Sequence, residues 1–457
     1  MKQPPKPASR AGNVRLWRYM RLFRQDILSA QPAKLYRAWM AEFRTPFFRS
    51  FLVNDPSLIK RVLKERPDEF PKSERIGAGL RPLLGRSVFL TNGEVWKRQR
   101  RIIDPAFEGG RLRDTYPSMW AAGNATVMRL NDVADGNPIE IEAFTSHAAA
   151  DVIFRTLFSI PIEHHLATQV FHAFQTYQRE QPLLNLGAFL PGPGWMPKFF
   201  SKRTKRSANE IRALITELTR ARLDQINAGT APDDLATKIM TKADPQSGER
   251  FSVEEMVDQV AIFFLAGHET SASALAWALY LVALFPEWQV QIRREAAELT
   301  DEFSTLSNLQ VTRDVFKETL RLYPPVPMMV RQNSCPEDFR GRSAMPGAQV
   351  VLSPWHLHRH ERLWDNPDGF DPARWNTTNG KSCARDAYMP FSTGPRVCTG
   401  AGFAMVEGPL LLAQIVQAFD VQIVDDREPV PVAHLTVRSK DGIWLRLTPS
   451  LERENIR

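Results

Sequence analysis

Residues 391–400 read F-S-T-G-P-R-V-C-T-G and set one cysteine, Cys398, between two glycines, Gly394 and Gly400. A helical pattern starts directly afterwards, near Ala401. A thiolate at that place lies at a helix N-terminus, where free N–H groups and the macrodipole favour negative charge. The two glycines let the backbone bend and approach a flat ligand closely. Arg396, two residues before the sulfur, can reach an anionic edge of that ligand. The chemistry this suits is a metal ligand fixed in a tight turn. A buried packing cysteine is the plain alternative, and the rest of the chain decides between them.

A second chemical stretch, Ala266-Gly267-His268-Glu269-Thr270, lies inside a long helical pattern. Ser252 and Glu255 form a capping box at its start, and residues 256–285 are apolar on nearly every face, which places the helix in the core. Polar groups at the centre of a buried helix are costly unless paired or used. The Thr270 hydroxyl can bond the Ala266 carbonyl one turn back and open the helix locally, and Gly267 leaves space beside it. A widened turn with a hydroxyl and the Glu269 carboxylate suits holding oxygen and delivering protons.

Trp96 and Arg100 are four apart and share one helix face, with Lys97, Arg98 and Arg101 pointing elsewhere as a basic patch. Glu318 and Arg321 can pair at i, i+3, a signal of little weight alone. Arg331 follows, then Arg374. His356, His358 and His360 alternate, so on a strand they would face one way. Three ligands on one short strand crowd badly, so a metal site there is not expected.

These residues need elements to hold them. The 457-residue chain is 43% apolar and 10% aromatic, as in a globular protein with a large core, and carries a net charge of +8. That charge suits acidic partners, a membrane surface or nucleic acid without choosing among them. Three cysteines, with no C-x-x-C, speak for a reducing compartment and against a disulfide framework or zinc ribbon. Residues 1–9 lack the apolar run of a signal peptide. The longest uncharged apolar segment, 270–285, is short of the roughly 20 residues of a spanning helix, so a soluble, cytoplasmic protein is expected. Residues 14–23 form a surface helix whose arginines give at most a weak peripheral membrane contact.

Further along, residues 45–53 read as a strand and 55–64 as a helix capped by Asp55. Residues 73–90, with three glycines and a proline, read as a loop. Residues 116–163 and 201–228 read as helical, with a Gly/Pro-rich break at 184–197 between helices. A helix over 403–419 contains Pro409 and should bend there. Strands and turns fill 429–447, with Leu435 and Thr436 at a tip. No G-x-G-x-x-G follows a strand, and no P-loop, G-x-S-x-G or H-E-x-x-H occurs.

The ten-residue cysteine pattern, preceded in order by W-x-x-x-R, A-G-x-E-T and E-x-x-R, resembles the cytochrome P450 superfamily of heme-thiolate monooxygenases. The resemblance covers nearly the whole chain. It implies a single mainly α domain over 1–457 with a smaller β-region, led by a basic extension over 1–30. Heme b would lie between the long central helix and the cysteine loop with its proximal helix. Cys398 would be the axial iron ligand in a loop shaped by Phe391, Gly394 and Gly400, with Ala266 lining the heme. Trp96, Arg100, Arg331 and Arg396 would neutralise the propionates. Thr270, Glu269 and Gly267 would hold oxygen and relay protons, and Glu318, Arg321 and Arg374 would form a structural cluster. The break at 184–197 would be a lid.

The implied reaction inserts one atom of O2 into a hydrophobic substrate, by hydroxylation or epoxidation. The implied pocket residues are 75–90, Phe263, 326–329 and Leu435. Electrons would come from a ferredoxin or flavodoxin with its reductase, met by a basic face of Lys97, Arg98, Arg101 and Arg385; no nucleic acid is involved. A peroxide-driven peroxygenase, a heme-thiolate isomerase or dehydratase, and a non-catalytic heme-binding sensor are the alternatives.

Overall fold

The computed structural model describes residues 2–12, 14–44, 49–108, 110–180, 202–433 and 435–450. The expected break at 184–197 lies outside them.

The helix Val253–Leu284 runs through the middle of the protein, about 48 Å long at 1.5 Å per residue. Its start is fixed by the capping box: Ser252 Oγ accepts from the Glu255 N–H, and Glu255 Oε2 accepts from the Ser252 N–H. Being apolar all round, it packs on several sides, against helices Ile141–Phe158, Lys202–Asn227 and Ala401–Ala418. The helix stays continuous through Thr270, so the local opening expected there is not seen.

Small sheets flank the helices. A four-stranded sheet runs in the order Met40–Arg44, Arg49–Val53, Gln349–Leu352, Met329–Gln332. Its middle pair is parallel and the outer pairs antiparallel. Phe51, Val53, Val350 and Leu352 of this sheet fill a second, smaller apolar core. Strands Pro138–Glu140, Trp444–Pro449 and Phe419–Ile423 form an antiparallel sheet, and Pro431–Ala433 pairs with Val437–Ser439 as a hairpin. The fold is mainly α with a smaller β-region, as expected.

Several local expectations need correction. Residues 73–90 are not a loop throughout: Glu74–Leu84 is a helix. Gly77, Gly79 and Pro82 lower its intrinsic propensity, but Leu83 and Leu84 are fully buried and hold it by packing. Gly85 ends it at φ +51°, where a Cβ would meet the Asp258 carboxylate of the central helix at 2.0 Å. The strand expected over 45–53 is Arg49–Val53, paired with Met40–Arg44, which the pattern did not reveal. His356 lies on a short helix, Pro354–Leu357, with His358 and His360 just beyond it, so the three histidines are not on a strand. Helix Ala401–Ala418 continues past Pro409.

The N-terminal segment is tied to the body. Lys6 Nζ donates to Asp368 at 2.8 Å, and Tyr323 Oη donates to the Pro5 carbonyl at 2.8 Å. Helix Leu16–Gln25 leaves Trp17 exposed. Among the described residues one single helix, Ala401–Ala418, is long and apolar enough to cross a membrane, and it is mostly buried in the fold.

Candidate active site

The Cys398 loop is stiffened by backbone bonds. The Cys398 N–H donates to the Phe391 carbonyl at 2.9 Å, Val397 N–H to Gly394 at 3.0 Å, and Ala401 N–H to Cys398 at 3.3 Å. Gly394 has φ +76°, and a Cβ there would meet the Leu63 carbonyl at 2.0 Å. Its smallness therefore serves a backbone crossing within the protein. Gly400 has an ordinary φ of −86° and stands beside the sulfur, its Cβ position 4.0 Å from Cys398 Sγ. Cys398 has exposed surface although protein atoms crowd it, as for a group facing an interior cleft. Burial pushes its thiol up, while the Gly400 N–H and the Arg100 charge favour the thiolate.

Cations gather beside this loop. Arg100, on helix Gly93–Phe107, donates to the Val397 carbonyl at 2.8 Å and pairs with Asp104. Arg396 lies 4.1 Å from the Trp96 ring centroid and donates to Asn92 Oδ1 at 3.0 Å. Arg331, on strand Met329–Gln332, is 6% exposed and among the described residues donates only to the neighbouring Val330 carbonyl. Lys72, bridged to Arg331 through the backbone, donates to the Val88 and Phe89 carbonyls at 3.2 and 2.7 Å. Burial pushes Arg331 and Arg396 down to about 10, and pushes Lys72 well below its ordinary value with help from Arg331, Arg396 and Arg100. Neither Arg331 nor Lys72 has a carboxylate partner among the described residues. Buried cations that repel one another fit a ligand bringing more than one negative charge. Lys72 is a member that the sequence pattern did not reveal.

One stripe of the central helix opens to the same cleft. Ala266 is exposed, and Phe263, Gly267, Thr270 and Ser271 are half-buried, in a stretch otherwise buried. These positions share a helix face. Phe107 sits between Phe263 of the central helix, at 5.7 Å between ring centroids, and Phe403 of the proximal helix, at 6.5 Å. The Trp96–Arg100 helix, the Thr270 face and the cysteine helix thus meet around one space.

Thr270 Oγ1 donates to the Ala266 carbonyl at 2.5 Å, as expected. Gly267 does not leave open space on its side: a Cβ would meet Ile153 Cδ1 at 2.6 Å. Glu269 is buried and turned away from the stripe. Its Oε1 accepts from Thr436 Oγ1 at 2.7 Å and its Oε2 from Gln178 Nε2 at 3.0 Å. One residue beyond Thr270, Ser271 Oγ donates at 2.6 Å to Glu407 of the proximal helix. Glu407 is fully buried, its Oε1 has no hydrogen-bond partner among the described residues, and burial pushes its carboxyl up to about 8. Neither Ser271 nor Glu407 was singled out from sequence, because their relation depends on two helices crossing.

Behind the cleft, Glu318 accepts from Arg321 at 2.8 and 2.9 Å and from Arg374 at 2.9 Å. This is the structural cluster the pattern suggested. The histidines are also structural: His358 Nε2 accepts from the Met389 N–H at 2.9 Å, and His356 bonds Ser353 Oγ at 2.8 Å. The basic patch, by contrast, is neutralised locally. Lys97 pairs with Glu94, Arg98 with Glu255, Arg101 with Asp244 and Arg385 with Asp386.

Residues 4–445 match the family model "Cytochrome P450". The chain is 28% identical over 408 residues to a cytokinin hydroxylase of Arabidopsis thaliana, covering 87% of this chain and 78% of that protein. It is 29% identical over 394 residues to the cyclooctat-9-en-7-ol 5-monooxygenase of Streptomyces melanosporofaciens, covering 84% and 83%. Its fold is similar to the crystal structure of the cytochrome P450DA heme domain, with a TM-score of 0.79, 24% identity and coverage of 99% and 98%.

Proposed function

The chain belongs to the cytochrome P450 family and is a heme-thiolate monooxygenase; from that premise we propose that it hydroxylates or epoxidises a hydrophobic organic substrate, with electrons from a separate redox protein. In the net reaction one oxygen atom of O2 enters the substrate. The other leaves as water, at the expense of two electrons and two protons. The meeting of Cys398, the cation group and the Thr270 stripe around one space carries this reading.

A bound heme would supply oxygen activation, which a cysteine thiolate ligand would favour by donating electron density. Cys398 provides that thiolate, with the Gly400 N–H and Arg100 opposing the cost of its burial. Arg331, Arg396, Arg100 and Lys72, with Trp96 beside them, would hold the two carboxylates of the group. The Phe391 carbonyl and Gly394 keep the loop in shape, and Ala266 would face the ligand, with the side of Gly267 turned to Ile153. Thr270 Oγ1 holds a proton on the cleft face. Glu269 supplies that proton from behind when its carboxyl turns from its present partners.

The substrate is hydrophobic: Phe263 lies on the open stripe of the central helix, and one relative's name gives cyclooctat-9-en-7-ol as its substrate. The net charge of +8 suits an acidic carrier of the ferredoxin or flavodoxin type, docking away from the locally neutralised patch. Residues 1–457 form one domain in this reading. A cytoplasmic location accords with three free cysteines.

The test is the carbon monoxide difference spectrum of the dithionite-reduced protein, with Cys398→Ser beside it. A red-shifted Soret band of the thiolate type, lost in the variant, is expected. A band unchanged by Cys398→Ser would overturn the ligand assignment. Spin-state shifts with a panel of apolar compounds then define the substrate class.

A further inference from the structure

Glu269 shares its cation with a second acid. Arg438 Nε lies 3.4 Å from Glu269 Oε1, the oxygen that also accepts from Thr436. Thr436 immediately precedes, and Arg438 lies on, the strand Val437–Ser439 of the hairpin with Pro431–Ala433. The next residue, Ser439, donates its N–H at 3.2 Å to Oε1 of Glu142. Glu142 opens helix Ile141–Phe158, which packs along the central helix. Arg438 therefore stands between two carboxyl groups, one buried and one half-buried. Its Nη2 is buried and has no hydrogen-bond partner among the described residues.

The surroundings give the two acids different tasks. Burial pushes Glu142 up to about 7, against the lowering effect of the Ser439 N–H and Arg438. Glu140, the other charged neighbour, pushes it the same way as burial, and spends its own oxygens on the Glu142 and Ala143 N–H groups. The His268 and His147 rings nearby are pushed down by burial to about 3 and about 4, so they are neutral near pH 7. Arg438 is thus the charge common to both acids.

We propose that Glu142 is the outer acid of a proton-supply line that reaches Glu269 past Arg438, with Arg438 as the positioning residue for both carboxyl groups. The inference rests on the reading of Glu269 as the inner proton donor. Glu142 takes a proton from solvent and passes it, with water as carrier, to the Glu269 carboxylate. It is left as a carboxylate that solvent reprotonates, and no electrons move.

The experiment compares Glu142→Gln, Arg438→Gln, Arg438→Lys and Glu269→Gln in the full heme protein. Infrared difference spectra between acid and neutral pH should show a carboxyl band titrating near 7 that Glu142→Gln removes. In Arg438→Gln its midpoint should move up, because a cation favouring the carboxylate is gone. The peroxide-to-product ratio should rise about threefold or more in Glu142→Gln and Arg438→Gln, with KM unchanged, and Arg438→Lys should restore it. If Glu142→Gln leaves that ratio unchanged while Glu269→Gln raises it, the outer acid is wrong and the inner one stands. If Glu269→Gln itself changes nothing, the inner assignment fails and this proposal falls with it.

Discussion

Thr270 and Glu269 adjoin in sequence, yet their side chains part. Thr270 turns its hydroxyl back to the Ala266 carbonyl on the cleft face, while the Glu269 carboxylate is buried against Thr436 and Gln178. Consecutive helical residues point about 100° apart, so only one of the two can face the cleft at rest. Thr270→Ala removes the hydroxyl on that face and leaves the Glu269 contacts intact. Product formed per O2 consumed should fall roughly tenfold or more, with hydrogen peroxide appearing in its place. Peroxide and product assays under one oxygen electrode trace check this, and unchanged coupling would remove Thr270 from the proton route.

What the sequence made legible is what local pattern carries. The cysteine loop, the capping box at Ser252 and the apolar core helix each write their geometry within a few turns of chain. Helix Glu74–Leu84 stayed hidden because its glycines and proline speak against it, and only the burial of Leu83 and Leu84 outweighs them. Lys72 and Glu407 were illegible for a different reason. A lone lysine or glutamate has no periodicity, and its burial is decided by elements far away in sequence. The same holds for Gly394, whose need for a small side chain comes from Leu63.

Lys72 gives a prediction of its own. Its ammonium group is surrounded by cations and carbonyls, with no carboxylate among the described residues, and that position suits an anionic edge of the ligand. Lys72→Met should speed heme transfer to an apo acceptor such as apomyoglobin by about tenfold, the worth of one charge-assisted hydrogen bond. The reduced carbon monoxide spectrum should keep its thiolate position, since Cys398 is untouched. An unchanged transfer rate would place Lys72 outside the binding set.

Glu407 should tilt the stability profile downward from about pH 5 to about pH 8. Burial holds its folded-state carboxyl at about 8, whereas in the unfolded chain it ionises in the ordinary carboxylate range near 4.3. Between these values the folded state keeps a proton that the unfolded state releases, so stability falls as pH rises. Glu407→Gln stays neutral in both states and loses this slope. The variant should gain on the wild type from about pH 5 to about pH 8 and keep a constant lead above that. Denaturant midpoints across that range measure it, and parallel profiles would mean the carboxyl is ionised in the folded protein.

The Glu318 cluster predicts a loss at every pH near neutrality. Glu318 and Arg321 are fully buried and Arg374 nearly so. Glu318→Gln leaves two guanidinium groups buried without their carboxylate, a change that costs about 3–5 kcal/mol. The variant should unfold at distinctly lower denaturant and bind less heme when expressed. Adding Arg374→Met should recover part of that loss, because one of the orphaned cations then goes. A double-mutant cycle in denaturant measures the recovery, and simple additivity would show that the two residues act separately.

The two glycines flanking Cys398 should respond differently to the same added methyl group. Gly394 has φ +76°, which L side chains rarely adopt, and its Cβ would meet the Leu63 carbonyl at 2.0 Å, a backbone atom that cannot swing aside. Gly394→Ala must therefore shift the loop between Phe391 and Cys398, and the sulfur with it. Gly400 has φ −86°, and the nearest protein atom to its Cβ would be Cys398 Sγ, at 4.0 Å. No described residue opposes Gly400→Ala. The amplitude of the thiolate-type carbon monoxide band per molecule of protein should collapse in Gly394→Ala and persist in Gly400→Ala. Equal losses would mean that Gly400 is where the flat ligand lies against the backbone, so that the glycines serve two different surfaces, Gly394 the protein and Gly400 the heme.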